Sequence, residues 1–394
     1  MEKYITIQNK ADCVGCTACY GICPRNAIVM ENDEEGFLYP HVNKQFCISC
    51  GMCVRVCPLK QQERNAGNSD YMAVKHLDED TRMQSTSGGV FTLLAEYVLK
   101  KEGAIYGAAF DDEFVVRHQR ATDERWKEFR GAKYVQSEMG DAFSCAGKDL
   151  SEGKLVLFSG TSCQIHGLQK YLGSKNIQQN TLITCDIVCH GVPSPKVWAE
   201  FLSTIVENPR DIGCIRFRSK QNNGWHKSHF VIRDKAENCL LDTEQTGNLY
   251  GSSYFNGYTL RPSCFACRYT NFNRVGDFTI GDFWGIEKHY PDFDDKKGTS
   301  LLMVNTPKAR SIYQEVYGDV EAIRVTQEEC VQPNLQEPSS CYGDRNAFWE
   351  QYHRGGLTHA CKFVGLLPVT GIEKYCYFVH RKWVAICNRI KRYC

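Results

Sequence analysis

The sequence lacks several features that define common protein classes. Its 394 residues contain no run of about 18 or more apolar residues, which is the length that a membrane-spanning helix needs. The first ten residues have no apolar stretch of the signal-peptide type, so we predict no secretory leader. The formal net charge is only +1, which gives no overall attraction to nucleic acid. These absences predict a cytoplasmic protein that does not bind nucleic acid.

Two nucleotide-binding motifs are also missing. The sequence has neither a P-loop nor a G-x-G-x-x-G turn, so a Rossmann dinucleotide site of the usual kind is not predicted. A hydrophobic fraction of 42% and a charged fraction of 24% are ordinary for a globular protein. The length allows two or three domains with substantial cores.

Cysteine, by contrast, is abundant, with 22 residues. In a reducing compartment such cysteines are metal ligands or buried thiols more often than disulfides. Eight of them form two copies of the pattern C-x2-C-x2-C-x3-C-P. In a two-cluster module, three cysteines of each copy bind one [4Fe–4S] cluster, and the fourth reaches the other cluster. The predicted ligands are Cys13, Cys16, Cys19 and Cys57 for cluster 1, and Cys47, Cys50, Cys53 and Cys23 for cluster 2.

A zinc site or a disulfide framework is the alternative interpretation of these eight cysteines. Zinc usually takes four ligands from two separated pairs, which fits a repeated triplet poorly. We therefore favour two clusters.

The remaining sequence divides into segments of different pattern. Residues 1–60 are predicted to form an α+β, ferredoxin-like module, with a first strand over residues 3–7. Residues 61–70 are polar and indicate a linker. Alternating strand and helix patterns then predict an α/β body with a mixed sheet, which we divide into domains 71–175 and 176–330. Residues 331–394 form a C-terminal extension rich in basic and aromatic side chains.

The end of that extension, residues 361–394, has two interpretations. It is either a terminal helix packed on the body, with cations near its C-terminal end, or a basic amphipathic segment that contacts a membrane surface. We favour the packed helix.

Two glycine-containing turns are candidates for binding a phosphate group. Iron–sulfur clusters transfer single electrons, whereas most organic substrates change by two, and flavin is the common converter. Ser87, Gly88 and Gly89 directly precede a predicted helix, whose N-terminal N–H groups favour phosphate. Gly160 and Thr161 follow a strand, where α/β sheets usually bind ligands. Alternatively, each of the two segments is an ordinary turn that binds no ligand.

A third metal site is suggested by cysteines in the body. Cys264 and Cys267 form a C-x2-C pair, Cys185 and Cys189 form another close pair, and Cys163 ends a neighbouring strand. Zinc, a third [4Fe–4S] cluster and buried thiols all remain open from the spacing alone.

Five stretches of the body together resemble one family. The chain resembles the beta subunit of the deazaflavin-coenzyme-reducing hydrogenases of methanogens, and more closely the bacterial members with a two-cluster ferredoxin domain in front. The matching stretches are residues 87–92, 131–137, 158–165, 186–194, and 264–267 followed by 276–285. The chain has Ser162 where that family usually has proline, a residue that fixes φ more firmly.

The resemblance implies an FAD-binding body with a [4Fe–4S] cluster near the flavin. The implied flavin contacts are Ser87, Gly88, Gly89, Lys133, Tyr134, Gln136, Ser137, Gly160 and Thr161. The implied ligands of the third cluster are Cys163, Cys189, Cys264 and Cys267, with Cys185 as the candidate replacement.

The predicted function is that of an FAD- and [4Fe–4S]-dependent oxidoreductase. Single electrons would pass through the clusters between FAD and a partner such as ferredoxin. The FAD would exchange two electrons with an unknown small molecule. Whether the protein uses the deazaflavin coenzyme stays open. His190 and Lys133 are the candidate catalytic residues, since histidine titrates near neutrality. The alternatives are an electron-transfer subunit that serves a separate catalytic partner, and a non-redox zinc protein.

Overall fold

The structure is a computed structural model that describes residues 3–60, 69–221 and 223–366. Most of the predicted linker over residues 61–70 lies outside the described residues. So does the last part of the C-terminal extension, residues 367–394, for which the two interpretations above stay predictions.

The N-terminal module is built from two short helices and one hairpin. These elements are α1 (Ala18–Ile22), β1 (Ile28–Asn32), β2 (Leu38–Val42) and α2 (Met52–Arg55). Thr17 and Gly51 precede the two helices at equivalent positions of the repeat, and both have left-handed backbones, with φ of 62° and 70°. The predicted strand over residues 3–7 is wrong. The backbone N–H of Ile5 donates to the sulfur of Cys53, at 3.2 Å, instead of to a neighbouring strand.

The body is organised around one mixed sheet of eight strands. Its spatial order is β13-β3-β12-β11-β7-β6-β4-β5. The strands are β3 (Asp70–His76), β4 (Ala104–Phe110), β5 (Val116–Ala121), β6 (Val156–Thr161), β7 (Leu182–Ile187), β11 (Phe278–Asp282), β12 (Ser300–Val304) and β13 (Val320–Val325). Strands β4, β6, β7 and β11 pair in parallel, and the other pairs are antiparallel. Because β3 lies between β12 and β13, the segments on either side of residue 175 share this sheet.

Helices cover both faces of the sheet, as the side-chain alternation of its strands requires. Tyr106 and Phe158 point into the same core as α5 (Ala142–Ser151), α6 (Ser162–Ser174) and the N-terminal module. Ile105 and Leu157, one residue earlier on the same strands, point into the opposite core with α4 (Val90–Lys100) and α10 (Pro307–Val316). The helix predicted directly after Gly89 is present as α4. The module is part of one of the two cores.

A second sheet and three helices enclose an aromatic core. The sheet has the order β10-β9-β8, with β8 (Ile212–Ser219), β9 (His229–Asp234) and β10 (Cys239–Glu244). The helices that pack there are α7 (Pro195–Ser203), α8 (Leu249–Phe255) and α11 (Arg345–Phe363). The remaining short helices are α3 (Glu79–Gln84) and α9 (Ile286–His289). No helix in the described ranges combines the length and the apolar composition that crossing a bilayer requires.

Candidate functional site

The four cysteines predicted to hold cluster 2 line one cavity at the tip of the module. Cys23, Cys47, Cys50 and Cys53 all face it. Two backbone N–H groups point at its sulfurs: that of Ile5 lies 3.2 Å from Cys53 Sγ, and that of Ala27 lies 3.3 Å from Cys23 Sγ. Backbone donors to sulfur are typical of iron–sulfur sites, where they tune the cluster potential.

The cysteines predicted to hold cluster 1 also lie together, on the side of the module that faces the body. Burial raises the pKa of Cys16, and the neighbouring Cys57 and Cys13 raise it further. Burial likewise raises the pKa of Cys19, with Cys16, Cys13 and Cys57 among its neighbours. A desolvated group of thiols becomes thiolate readily only when a metal compensates the charge. The donor set therefore fits a cluster.

A third cavity lies between the module and the body, with a volume of about 120 Å³. Cys163, Cys189, Cys264 and Cys267, which are the four implied ligands of a third cluster, all line it. Backbone N–H groups again reach the sulfurs: that of Gly191 lies 3.2 Å from Cys189 Sγ, and that of Val192 lies 3.4 Å from Cys264 Sγ.

Cys185 lies away from this cavity. Its side chain is fully buried in the core that β7 shares with α4 and α10. In the described parts of the chain, no three histidine, cysteine or acidic side chains are gathered closely enough to hold a single metal ion. The four cavity cysteines instead surround a space, which suits a larger group such as a cluster of four irons.

The turn that carries Cys163 is fixed by side chains rather than by proline. Thr161 and Gln164 form a capping box at the start of α6. The Ser162 hydroxyl accepts a hydrogen bond from Nη2 of Arg274 at 2.6 Å, and the same nitrogen lies 3.1 Å from Oδ2 of the fully buried Asp186. A proline side chain at position 162 could not accept this hydrogen bond. The bond to Arg274 therefore gives a structural reason for serine at this position.

Arg261 links the module to the third cavity. Its side chain is fully buried and lines the cavity. Nε donates to the carbonyl oxygen of Cys13 at 2.7 Å, Nη2 donates to that of Leu38 at 2.9 Å, and Nη1 donates to Oε1 of Gln136 at 2.9 Å. Nη2 also lies 3.5 Å from Cys13 Sγ. One buried cation thus faces the predicted ligands of two different clusters.

Helix α6 brings the first cysteine set close to the third cavity. A Cβ built at Gly167 would lie 2.9 Å from both Cβ and Sγ of Cys16, so only glycine permits this approach. Cys163, at the start of the same helix, is an electrostatic neighbour of Cys16. Clusters 1 and 3 would therefore be adjacent.

A large cleft with a volume of about 1010 Å³ is lined by residues of the body alone. Its lining contains eight lysine and arginine residues and only four acidic ones. The cations are Lys127, Arg130, Lys133, Arg210, Arg216, Arg218, Lys220 and Lys235. This excess of positive charge suits an anionic ligand.

Two of these lysines organise the walls of the cleft. Lys133 Nζ donates to the carbonyl oxygens of Glu128 and Arg130, at 2.5 and 2.8 Å. Lys220 Nζ donates to those of Arg82 and Ser87, at 2.7 and 2.6 Å. Burial lowers the pKa of each lysine to about 7. Their charge therefore depends on pH near neutrality.

The Ser87-Gly88-Gly89 turn packs mainly against β12. Ser87 Oγ donates to the carbonyl oxygen of Thr299 at 2.7 Å, and the Gly88 N–H donates to Ser300 Oγ at 2.8 Å. A Cβ on Gly88 would lie 2.1 Å from the carbonyl oxygen of Val74, so the close approach to β3 requires glycine. The neighbouring Ser85 and Thr86, rather than the glycines, line the cleft.

The other residues implied as flavin contacts lie at several places. Lys133 lines the cleft. Gln136 donates to the carbonyl oxygen of Val14 in the module, at 3.2 Å, and Ser137 Oγ bonds to Nδ1 of His118 at 2.9 Å. Thr161 lines the third cavity. A Cβ on Gly160 would lie 3.0 Å from the side chain of Gln164, so Gly160 lies against that side chain.

Aromatic rings connect the cleft to the third cavity. Phe217 lines the cleft, and its ring centroid lies 5.4 Å from that of Tyr134. Tyr134 lies 5.2 Å from Tyr254, which lies 5.3 Å from His190. His190 lines the cavity beside Cys189, so the two spaces are joined by a continuous set of rings. Tyr254 was missed by the sequence analysis, because nothing in its local pattern separates it from an ordinary core tyrosine.

His190 is largely buried beside the third cavity. Burial lowers its pKa, and Asn334 partly opposes this effect. Its Nδ1 lies 3.3 Å from Ser339 Oγ. The lowered pKa favours a neutral ring at neutral pH.

Models of known protein families match two segments of the chain. The family model for the C terminus of the coenzyme F420 hydrogenase/dehydrogenase beta subunit matches residues 153–328. This segment holds all four cysteines of the third cavity. Residues 153–328 belong to that family. A 4Fe-4S dicluster domain matches residues 12–60, which contain both cysteine sets of the module.

The family whose model matches residues 153–328 is the one that the motifs predicted, and the dicluster match supports iron–sulfur clusters in the module. No curated protein matches the chain. Among solved structures, a chain from the xenon-derivatised F420-reducing [NiFe] hydrogenase complex of Methanosarcina barkeri is similar. It has 15% identity and a TM-score of 0.48, over 75% of this chain and 96% of that chain.

Proposed function

We propose that this protein is an iron–sulfur flavoprotein oxidoreductase that binds three [4Fe–4S] clusters and one FAD. The observation that carries the proposal is the order of the sites: the two cysteine sets of the module, the third cysteine cavity and the basic cleft follow one another through the molecule. Clusters supply one-electron transfer, and flavin converts it to two-electron chemistry with a small acceptor or donor.

The third cavity supports a cluster through its donor set. Cys163, Cys189, Cys264 and Cys267 contribute four thiols, which is the number that a [4Fe–4S] cluster takes. Arg261 and Arg274 also line the cavity, and their charges offset the negative charge of thiolates. The backbone N–H groups of Gly191 and Val192 add donors to two of the sulfurs.

The basic cleft supports an anionic, phosphate-bearing cofactor. Arg130, Lys133, Arg216 and Lys220 would compensate the pyrophosphate of FAD. Arg218 lines the cleft, and its Nη1 lies 3.4 Å from the Tyr134 hydroxyl. Of the two predicted catalytic residues, Lys133 holds the loop around residues 128–131 in place, so we propose binding rather than proton transfer for it. His190 remains our second candidate catalytic residue, next to the cluster cavity, and because burial lowers its pKa it would accept a proton there rather than donate one.

The composition of the purified protein tests the proposal directly. On protein purified without oxygen, we expect about twelve irons, about twelve acid-labile sulfides and one FAD per chain. About eight irons with one FAD would restrict the clusters to the module. Eight irons without flavin, even after FAD is added, would contradict the flavoprotein assignment.

Flavin binding should weaken as pH rises through neutrality. Lys133 and Lys220 have pKa values of about 7 in the free protein, and a bound pyrophosphate favours their charged forms. Below pH 7 both lysine side chains are already charged in the free protein. Above pH 7 they are mostly neutral, so each must take up a proton when FAD binds. We therefore expect the Kd for FAD to rise at least about tenfold between about pH 6 and 8.5, measured by quenching of flavin fluorescence.

Lys133→Arg provides the matched control for this pH dependence. Arginine keeps its charge throughout the range, so the variant should show a shallower rise in Kd. An equally steep rise in Lys133→Arg would show that Lys133 is not one of the titrating groups, and a flat wild-type profile would contradict the role of both lysines.

A further inference from the structure

The second cysteine set lies at the most exposed end of the module. Cys50 is exposed, and the flanking apolar side chains of Phe46 and Ile48 are 56% and 60% exposed. By contrast, the first set faces the body: Cys16 is only 7% exposed and packs against Gly167 of α6. A protein that exchanges electrons with the module therefore approaches closest at the second set.

The surface around Cys50 is positively charged, although the whole chain is nearly neutral. From Gly36 to Gln62 the sequence contains no aspartate or glutamate, but it contains Lys44, Arg55 and Lys60. Lys3 and Arg25 line the cavity of the second set, and no acidic side chain lines it. All five cations are exposed. The other side of the module differs, since Lys10 there pairs with Asp33 at 2.8 Å and with Glu34.

Arg55 also shapes this surface. Its Nη1 donates to the carbonyl oxygen of Cys50 at 3.1 Å, which holds the loop of residues 47–50 against α2. The cation is thus placed beside the exposed cysteine. Apolar side chains surrounded by charges of one sign are typical of interfaces in which charge steers the encounter and apolar contact holds the complex.

We propose that the docking surface, formed by Phe46, Ile48 and Cys50 with the cations Lys3, Arg25, Lys44 and Arg55, binds an acidic one-electron carrier protein. This proposal rests on the proposed function and specifies its protein partner. In the contact, the reduced carrier loses one electron and the cluster held by Cys23, Cys47, Cys50 and Cys53 gains it. No bond forms or breaks, and no proton is transferred.

Binding of a carrier whose surface is acidic tests the docking surface. The probe is an oxidised, acidic bacterial ferredoxin with two [4Fe–4S] clusters, titrated calorimetrically into the full, cluster-loaded chain. We expect the Kd to rise at least about tenfold in Lys44→Glu combined with Ile48→Ser, and binding to weaken with added salt, because the contact joins opposite charges.

The matched control is Lys175→Glu, which makes the same charge change at an exposed residue beyond α6. It should bind the ferredoxin like the wild type. A loss of affinity in Lys175→Glu equal to that in the double variant would indicate attraction by overall charge and would overturn the docking surface. So would unchanged binding in the double variant, or a concentration-dependent dimer of this chain that the double variant abolishes.

A small reductant separates this proposal from the function on which it rests. Reduced methyl viologen needs no protein interface, so it should bleach the cluster absorbance of the wild type and of the double variant equally. Bleaching by viologen without binding of the ferredoxin would overturn the docking surface and leave the proposed function intact. A failure of viologen to reduce the wild type would contradict the proposed function itself.

Discussion

Replacing Arg261 with methionine is expected to destabilise the contact between the module and the body by about 3–5 kcal/mol. The variant leaves three buried acceptors without their donor: the carbonyl oxygens of Cys13 and Leu38 and the side chain of Gln136. It also removes the buried positive charge beside Cys13 Sγ. The measurement is urea unfolding of the cluster-loaded protein, followed by cluster absorbance and by circular dichroism.

Arg268→Met is the matched control for this prediction. Arg268 belongs to the same loop and also donates to a carbonyl oxygen of the module, that of Leu59, at 2.9 Å, but it is exposed. Its loss should cost less than about 1 kcal/mol. Similar unfolding midpoints for the two variants would show that burial gives Arg261 no special role. A cluster 1 potential in Arg261→Met that is not more negative than in the wild type would exclude an electrostatic effect on that cluster.

Cys189→Ser is expected to remove about four irons per chain. Cys189 Sγ faces the third cavity and accepts a hydrogen bond from the Gly191 N–H, so its replacement takes one of four ligands from the proposed third cluster. The two module clusters should remain, because their ligands lie in residues 13–57. Iron and sulfide analysis and low-temperature electron paramagnetic resonance of the reduced protein measure the loss.

Cys185→Ser separates a ligand effect from a packing effect. Cys185 lies only four positions away but is buried in the core below α4, so we expect this variant to keep all its iron while losing some stability. If the two variants lost iron equally, the third cavity would not be the site of the missing irons. Retention of about twelve irons in Cys189→Ser would likewise contradict the third cluster, unless serine oxygen replaced the sulfur, which a shifted resonance signal would reveal.

The grouping of Cys23 with Cys47, Cys50 and Cys53 around one cavity was predictable because the cysteine pattern is local and repeated. A fixed spacing decides which sulfurs can reach one cluster, and the structure brings Cys23 to Cys47, Cys50 and Cys53 as that rule requires. Most strands of the body were also predictable, since buried strands are short apolar runs. These features depend on a few neighbouring residues only.

The contacts that assemble the sites depend instead on distant parts of the chain. Arg261 precedes a cysteine pair in the sequence, but its bonds to Cys13 and Leu38 join residues that are 248 and 223 positions apart. Helix α11 was missed because Gly355 and Gly356 interrupt it, with non-helical dihedral angles inside the helix. The hydrogen bond that Arg274 donates to the Ser162 hydroxyl was equally impossible to predict from the sequence. Each requires knowledge of which segments become neighbours in space.

The position of β3 has a consequence for biosynthesis. This strand is the first of the body to leave the ribosome, yet its partners β12 and β13 are the last strands of the sheet to be made. Contacts so distant in sequence form late and slowly. The N-terminal module is complete long before, and its eight cysteines are then accessible to iron–sulfur carriers. We therefore expect cluster insertion into the module to precede closure of the sheet, and Arg261 to join a module that is already metallated.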